Sequence, residues 1–284
     1  MLLAMEEKVS PQGLMDKLLS TLTWSFAILT LTSLIFIILH VLIGGIPYLN
    51  LSLFERNFTT ENVSMFPAIV STFYMVLLTL VMAVPLGIFT SIYLVEYVKK
   101  GSRLVVFIRS ATEMLAGIPS VVYGLFGMLL FVEFFGLGWS IIAGSLTLTI
   151  MILPVIIRTT EEALKSVSGG FREGGFALGA GKLRVVFKIV LPSAIPGILA
   201  GVILGIGRII GESAALIFTA GTVPQIPENL TNSARTLSVH MWALSAEAHH
   251  TGEAYATAVI LLLIVLVINT ASAVIARFFV AGKR

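Results

Sequence analysis

The chain has 284 residues, of which 57% are hydrophobic and only 12% charged, and its formal net charge is +3. Soluble globular domains carry about 25% charged residues, so this composition, with a mean hydropathy of +1.01, excludes an ordinary soluble domain and points to an integral membrane protein. The absence of cysteine excludes disulfides, thiolate metal sites and cysteine nucleophiles.

A helix needs about 20 apolar residues to cross the hydrocarbon, and charge-poor runs of that size recur along the chain. A short N-terminal segment, 1–21, comes first. Spans are expected near 22–46, 67–94, 116–136, 139–157, 189–220 and 254–276, which makes residues 22–280 one six-span domain. The first run exceeds the roughly 7–15 residues of a signal h-region and no A-x-A-like site follows it, so it is expected to stay as a span. Segment 47–65, with Pro47, Asn50, Asn57 and Asn62, reads as a polar loop. Phe135-Gly136-Leu137-Gly138 reads as a tight turn. Segment 221–252 carries Pro224, Pro227, Asn229 and Asn232 and a short helix near 234–248. Pro119 and Pro154 are expected to kink their spans.

Six spans place both termini on one side. Lys8, Lys17, Lys99, Lys100, Arg103, Arg109, Arg158, Lys165, Arg172, Lys182, Arg184, Lys188, Arg277, Lys283 and Arg284 all fall on that side, against Arg56 and Arg235 opposite. The positive-inside rule then makes that side, with both termini and the 96–115 and 158–188 loops, cytoplasmic. This distribution accounts for the net charge without nucleic acid. His40, His240, His249 and His250 lack a metal-ligand pattern such as HExxH, and His249-His250 reads as loop. Arg109 and Glu113, four apart near the inner surface, read as a surface ion pair.

The loop RTTEEALKSVSGGFREGGFALGAGKLRVVFKIVLP, residues 158–192, has a pattern of its own. Thr159 or Thr160 is a candidate cap for a short helix through Val167, with Glu161 and Glu162 at its positive end. Gly169-Gly170 reads as a break. A second helical piece runs from Phe171 to Gly179-Ala180-Gly181, with Phe171, Gly175 and Leu178 on one face, and a third, Leu183 to Val190, leads into the next span. Apolar residues on a polar surface helix suit docking of another protein. The alternative is a basic loop that only obeys the charge rule.

The fifth span raises a different question. Arg208 lies sixteen residues past Pro192, roughly 24 Å along a helix and inside a core about 30 Å thick. A charge there costs about 2.5–3.5 kcal/mol on insertion scales. Glu212, four residues on, is a possible partner on the same helix, and a mutual latch is one reading. An anion path is the other: Arg208 meets a transiting oxyanion through its planar fork of donors, and Glu212 holds it between passages. Gly205, Gly207 and Gly211 would let a backbone or ligand approach. Ser120 and Tyr123 are candidate hydroxyl donors to the anion, or helix–helix contacts. No G-x-x-x-x-G-K-[ST] occurs, so the chain has no recognisable nucleotide site.

Glu173-Gly174-Gly175, then Gly179, then Ile189, Leu191 and Pro192, repeat the spacing of the E-A-A motif of permeases in ATP-binding-cassette importers, with glycines in place of two alanines. Those glycines cost roughly 1 kcal/mol each against alanine in a helix, which suggests a helix ordered by its partner. LAGIPSVVYGLFG at 115–127, LPVIIRTTEEAL at 153–164, ALGAGKLR at 177–184 and GRIIGESAALIFTAG at 207–221 extend the likeness to phosphate-importer permeases. TLSVHMWALSAEA at 236–248 is similar to the PstA-like rather than the PstC-like kind. The resemblance covers roughly residues 65–280. It implies an all-α membrane protein with the type I importer permease fold, six spans and a cytoplasmic coupling helix in the 158–188 loop. It also implies a non-enzymatic transport subunit in a prokaryotic cytoplasmic (inner) membrane. A PstB-like ATPase, which binds the ATP and Mg, would dock around Glu173. A PstC-like second permease and a PstS-like phosphate-binding protein would complete the importer. The chain itself needs no metal or cofactor. Sulfate or molybdate is the alternative cargo. An ATP-independent anion carrier and a non-transporting sensor are the alternatives of other classes.

Overall fold

The computed structural model describes residues 11–281 apart from Lys100 and Ala248. Lys8, Lys100, Lys283 and Arg284, and the first ten residues of the N-terminal segment, lie outside the described residues.

All the regular secondary structure of the described residues is helical. Helix α1 (Pro11–Gly45) leads to α2 (Phe66–Ile92), which ends in a π turn, Tyr93–Tyr97. Helices α3 (Arg103–Ala116) and α4 (Ser120–Gly127) follow, α4 continuing as a π-helical stretch, Met128–Phe134. Helix α5 (Ile141–Ser166) is long. Helix α6 (Gly169–Ala177), α7 (Lys182–Val185) and a π turn, Val186–Val190, lead into α8 (Leu191–Gly211). Helices α9 (Ala214–Thr219), α10 (Leu237–Ala246) and α11 (Thr251–Ala281) complete the order.

Five segments are long and apolar enough to cross a membrane: Met15–Tyr48, Phe66–Tyr97, Ile141–Ser166, Lys182–Gly211 and Thr251–Ser272. The sixth is a bent pair, Arg103–Ala116 and Ser120–Phe134, turned by 104°. Its cause is local. Pro119 lacks an N–H and keeps Ile118 out of the helical region, and Gly117 closes α3 by donating to the Met114 carbonyl at 3.2 Å. Pro154 stands inside α5, which runs on to Ser166.

Helix α5 is the axis of the bundle. Met75 of α2, Leu148, Met151, Ile152 and Ile156 of α5, Ile209 of α8 and Leu216 of α9 form its central core. Small residues allow the close packing that membrane helices depend on. A methyl group on Gly87 of α2 would stand 2.6 Å from Ile156 Cγ2, and the Ser91 hydroxyl donates to the Ile157 carbonyl at 2.8 Å. Helix α1 is the contrast. Residues 15–40 are exposed, and α1 meets the bundle near its C-terminal end, where His40 Nε2 lies 3.3 Å from the Tyr255 hydroxyl.

The 158–190 region differs from its sequence reading in several ways. Thr159 and Thr160 cap nothing, because α5 passes through them without a break. Thr159 Oγ1 donates back to the Val155 carbonyl within the same helix. The chain breaks at Val167 and Ser168, and Gly169-Gly170 open α6 instead of interrupting it. Along the expected Phe171, Gly175 and Leu178 face, only Gly175 is buried, whereas Phe171 is 58% and Leu178 90% exposed. Arg109 pairs with Glu161 of α5, not with Glu113, and Lys165 Nζ joins the same carboxylate at 2.7 Å.

Candidate functional site

Two arrangements stand out, one at the α6 end of the bundle and one where α8 meets α9.

Helix α6 is short but well terminated. Gly179 adopts φ +78°, a conformation that glycine takes without a Cβ penalty. Its N–H donates to the Phe176 carbonyl at 2.9 Å, and the Ala180 N–H donates to the Gly175 carbonyl at 3.1 Å. This is the paired bonding of a Schellman cap. The two motif glycines behave differently. A methyl group on Gly175 would stand 2.9 Å from Ile189 Cδ1 and 3.0 Å from Val185 Cγ2. A methyl group on Gly174 would meet nothing within 4 Å. The motif therefore closes on itself, Gly175 against Ile189, with Leu191 and Pro192 in the first turn of α8. Pro192 has no N–H to give the preceding turn, and the ladder there widens into the π turn Val186–Val190. Helix α6 thus has its terminal cap and the packing of Gly175 within the chain itself.

Arg172 was counted in the sequence only as a positive charge. Its guanidinium donates to the Leu164 and Val167 carbonyls, each at 2.8 Å, filling acceptors left open at the C-terminus of α5. It also donates to Glu96 Oε1 at 2.7 Å and 3.0 Å. The outward side of α6 and its flanks shows Phe171, Glu173, Phe176, Leu178 and Leu183, all exposed. This is an apolar patch with one carboxylate, of the kind that protein partners cover.

The second arrangement revises the expected Arg208–Glu212 pair. Helix α8 ends at Gly211, and Glu212 takes extended angles, φ −78° and ψ 125°. The two residues do not lie on one helix, and no ion pair joins them among the described residues. Glu212 is instead a local brace. Its Oε1 accepts the Ala215 N–H at 3.1 Å in the first turn of α9, and its carbonyl accepts the Ser238 hydroxyl of α10 at 2.5 Å. Backbone groups freed by a break at membrane depth need such partners. The signal for this break was present in Gly211-Glu212-Ser213, a stop glycine followed by capping residues.

The α8–α9 break lies beside the α3–α4 break. A methyl group on Gly124 would stand 2.9 Å from Ala215 Cα and 2.9 Å from Phe218 Cδ2, and one on Gly127 would stand 2.8 Å from Thr219 Cγ2. Helices α4 and α9 therefore run side by side from one break each. Tyr123, buried, donates its hydroxyl to the Leu115 carbonyl at 2.6 Å, closing the α3–α4 bend. Ser120 opens α4, and its hydroxyl makes no hydrogen bond among the described residues. The structure thus sets Tyr123 in one core cluster with Ile209, the residue after Arg208, where two helix breaks adjoin, with Ser120 in the same turn as Tyr123. It assigns Tyr123 and Glu212 bracing contacts that the sequence did not reveal.

Arg208 is half-buried. On the same side of α8, Leu204 is 62% exposed and Gly211 is exposed, while Gly207 and Gly211 would each admit a methyl group without contact. Gly205 faces inward toward Ile152, at 3.9 Å. A cation beside an uncovered strip of small residues, with its carboxylate neighbour engaged elsewhere, can receive an anion.

At the other end of the bundle, Arg56, Asn57, Phe58, Gln225, Ile226, Pro227 and Glu228 line a cleft of about 480 Å³. Helix α10 roofs the break below it, and its His240 is fully buried edge-on to the Phe58 ring at 6.0 Å. Burial, and then the Arg235 charge, lower the His240 pKa to about 4.

Comparison with known proteins fits this architecture. Residues 83–284 match the family described as the inner membrane component of binding-protein-dependent transport systems. The chain is 38% identical over 190 residues to a probable ABC transporter permease protein, YqgI, of Bacillus subtilis, a match covering 62% of this chain and 64%, under two thirds, of that relative. It is 31% identical over 276 residues to the phosphate transport system permease protein PstA of Haemophilus influenzae, covering 95% of each. Among solved structures, a chain from a bacterial alginate ABC transporter in complex with its periplasmic protein shares the fold with a TM-score of 0.67. It is 16% identical, and the match covers 90% of this chain and 93% of that one. The chain belongs to the family of multi-pass inner-membrane components of binding-protein-dependent transport systems.

Proposed function

We propose that this chain is the PstA-like permease subunit of an ATP-driven importer that carries inorganic phosphate into the cytoplasm by alternating access. The α6 end and both termini face the cytoplasm, as the clustering of lysine and arginine favours. A PstB-like ATPase, which binds ATP and Mg, docks on the apolar patch around Glu173 and Gly179. A PstC-like permease covers the open strip of α8. A PstS-like binding protein meets the opposite end near the Arg56–Glu228 cleft. The chain itself is not an enzyme and needs no metal or cofactor. It supplies the path and the gate.

Arg208 receives the anion, with the Ser120 hydroxyl as a further donor. Tyr123 fixes the bend that sets the height of Ser120. Glu212 positions α9 rather than neutralising Arg208. An anion binding at Arg208 can therefore leave without competing against a fixed ion pair, and conduction needs that release. The observation that carries the reading is the arginine without a carboxylate partner among the described residues at two adjoining helix breaks, in a chain whose near relatives include permeases named for phosphate.

The test is ATP-dependent uptake of labelled phosphate into vesicles holding the assembled complex, with sulfate as competitor. Uptake selective for phosphate is expected, falling to background in Arg208→Gln with subunit assembly intact. Wild-type uptake in that variant would remove Arg208 from the path. Preferential sulfate uptake by the wild type would replace the cargo.

A further inference from the structure

We propose that Arg172 and Glu96 form the mechanical link that passes movement of the docked ATPase from α6 to α2. The proposal rests on the reading that the ATPase docks on α6, and it identifies the first step inside the permease.

The contacts of α6 divide by destination. Gly175 against Ile189 and Val185 ties it to the approach of α8. The Schellman cap at Gly179 is internal to the α6–α7 segment. The bonds from Arg172 to the Leu164 and Val167 carbonyls tie it to α5. Its hold on the end of α2 is the Arg172–Glu96 pair, and Lys182, just beyond α6, adds a second hold 4.8 Å over the Tyr97 ring. Both holds fall on the π turn Tyr93–Tyr97. Glu96 is 9% and Arg172 21% exposed, so this is not a solvent-screened surface pair. Removing one member of a pair so little exposed leaves the other without its compensating contacts. When α6 is displaced, Glu96 must follow or lose its counter-ion.

The route onward is packed. Helix α2 is fastened to α5 by Gly87 on Ile156 and by the Ser91–Ile157 hydrogen bond. Helix α5 reaches the α8–α9 break through the core that joins Ile152, Ile209, Leu216 and Tyr123. A pull on the end of α2 therefore arrives beside Arg208. Arg172 and Glu96 act as positioning residues, since neither lies among the groups assigned to the anion.

Glu96→Gln separates this role from simple support of the fold. It removes the charge that holds α2 and leaves the Arg172 bonds to α5 in place. In vesicles with the whole complex and loaded binding protein, ATPase co-purification and ATP hydrolysis should stay near wild type. Phosphate imported per ATP should fall at least about fivefold, the lower range of coupling between distant sites. An unchanged ratio would overturn the link, and so would loss of subunit assembly, which would make the pair a fold contact. A second variant adds a rescue. The chain has no cysteine, so Glu96→Cys with Arg172→Cys can be joined by a short bismaleimide. Cross-linking should raise phosphate per ATP above the unlinked double variant, and no gain on cross-linking would also overturn the link. The parent readings fail separately. Wild-type vesicles that import sulfate instead change the cargo, and the ratio is then read on sulfate. An ATPase that still binds after Phe171, Phe176 and Leu178 are replaced by serine overturns the docking reading and the link with it.

Discussion

The α6 end and the Arg208 break use charge in opposite ways. At the α6 end the charges close on one another: Arg172 with Glu96, and Arg109 and Lys165 with Glu161. Each pair joins two helices or stiffens one. At the break the two charges are kept apart, Arg208 on the last turn of α8 and Glu212 turned to the N–H of Ala215. Paired charges transmit position. A separated charge can exchange partners. The same residue types are therefore paired as fasteners at one end and left apart at the break in the middle.

The sharpest way to break the comparison is to force the two helix breaks apart. Gly124→Val places a branched side chain where even a methyl group would stand 2.9 Å from the Ala215 backbone. Backbone cannot yield as a flexible side chain does, so a cost of about 3 kcal/mol is expected, at the upper end for overpacking. Thermal unfolding of the assembled complex should move down, and uptake should fall while the ATPase still binds α6. Unaltered uptake would mean that α4 and α9 can separate without disturbing the path.

The next effect concerns the roof over the break. His240 is buried on α10, the helix whose Ser238 supports the Glu212 carbonyl. Its pKa lies at about 4 in the folded chain against 6.5 for the free group. The unfolded chain therefore binds a proton first as pH falls. The neutral histidine costs nothing above pH 6.5, and stability declines from there down to about pH 4, where the folded form also protonates. Between pH 7.5 and pH 5 the loss should be about 2 kcal/mol, seen as a lower midpoint of thermal unfolding. His240→Phe should flatten that dependence. An unchanged slope in the variant would assign the pH effect to other groups.

Much of this contrast was legible in the sequence, but unevenly. The Glu173–Pro192 motif is local, and its spacing and glycines could be read directly. Arg208 announced itself as a charge in an apolar run. The Arg172–Glu96 pair could not be read, because its members are 76 residues apart and each looked like an ordinary loop charge. The Arg109–Glu161 pair, 52 apart, was masked by a nearer candidate, Glu113. Helical periodicity favoured an Arg208–Glu212 pair at i, i+4, and it failed because the stop signal in Gly211-Glu212-Ser213 outweighs an apolar pattern that runs through it. Local chemistry decides where a helix stops, whereas pairing across helices needs the fold.

The smallest effect sharpens the other side of the comparison. Gly174 lies in the first motif position that departs from alanine, with open space where a methyl group would stand. Its neighbour Gly175 has no such room, so a methyl group there needs a shift of the Ile189 side chain and one on Gly174 does not. Gly174→Ala removes backbone freedom from the unfolded chain and adds no clash, and it should stabilise α6 by about 0.5–1 kcal/mol. Gly175→Ala must displace Ile189 and should forfeit that gain. Hydrogen exchange of the α6 amides in the assembled complex checks this: slower exchange is expected for Gly174→Ala, and none or the reverse for Gly175→Ala. If both variants slow exchange equally, Ile189 yields easily and the motif is looser than its contacts suggest. If Gly174→Ala also lowers phosphate imported per ATP, then the flexibility of α6, and not only its fastening to α2, belongs to the coupling step.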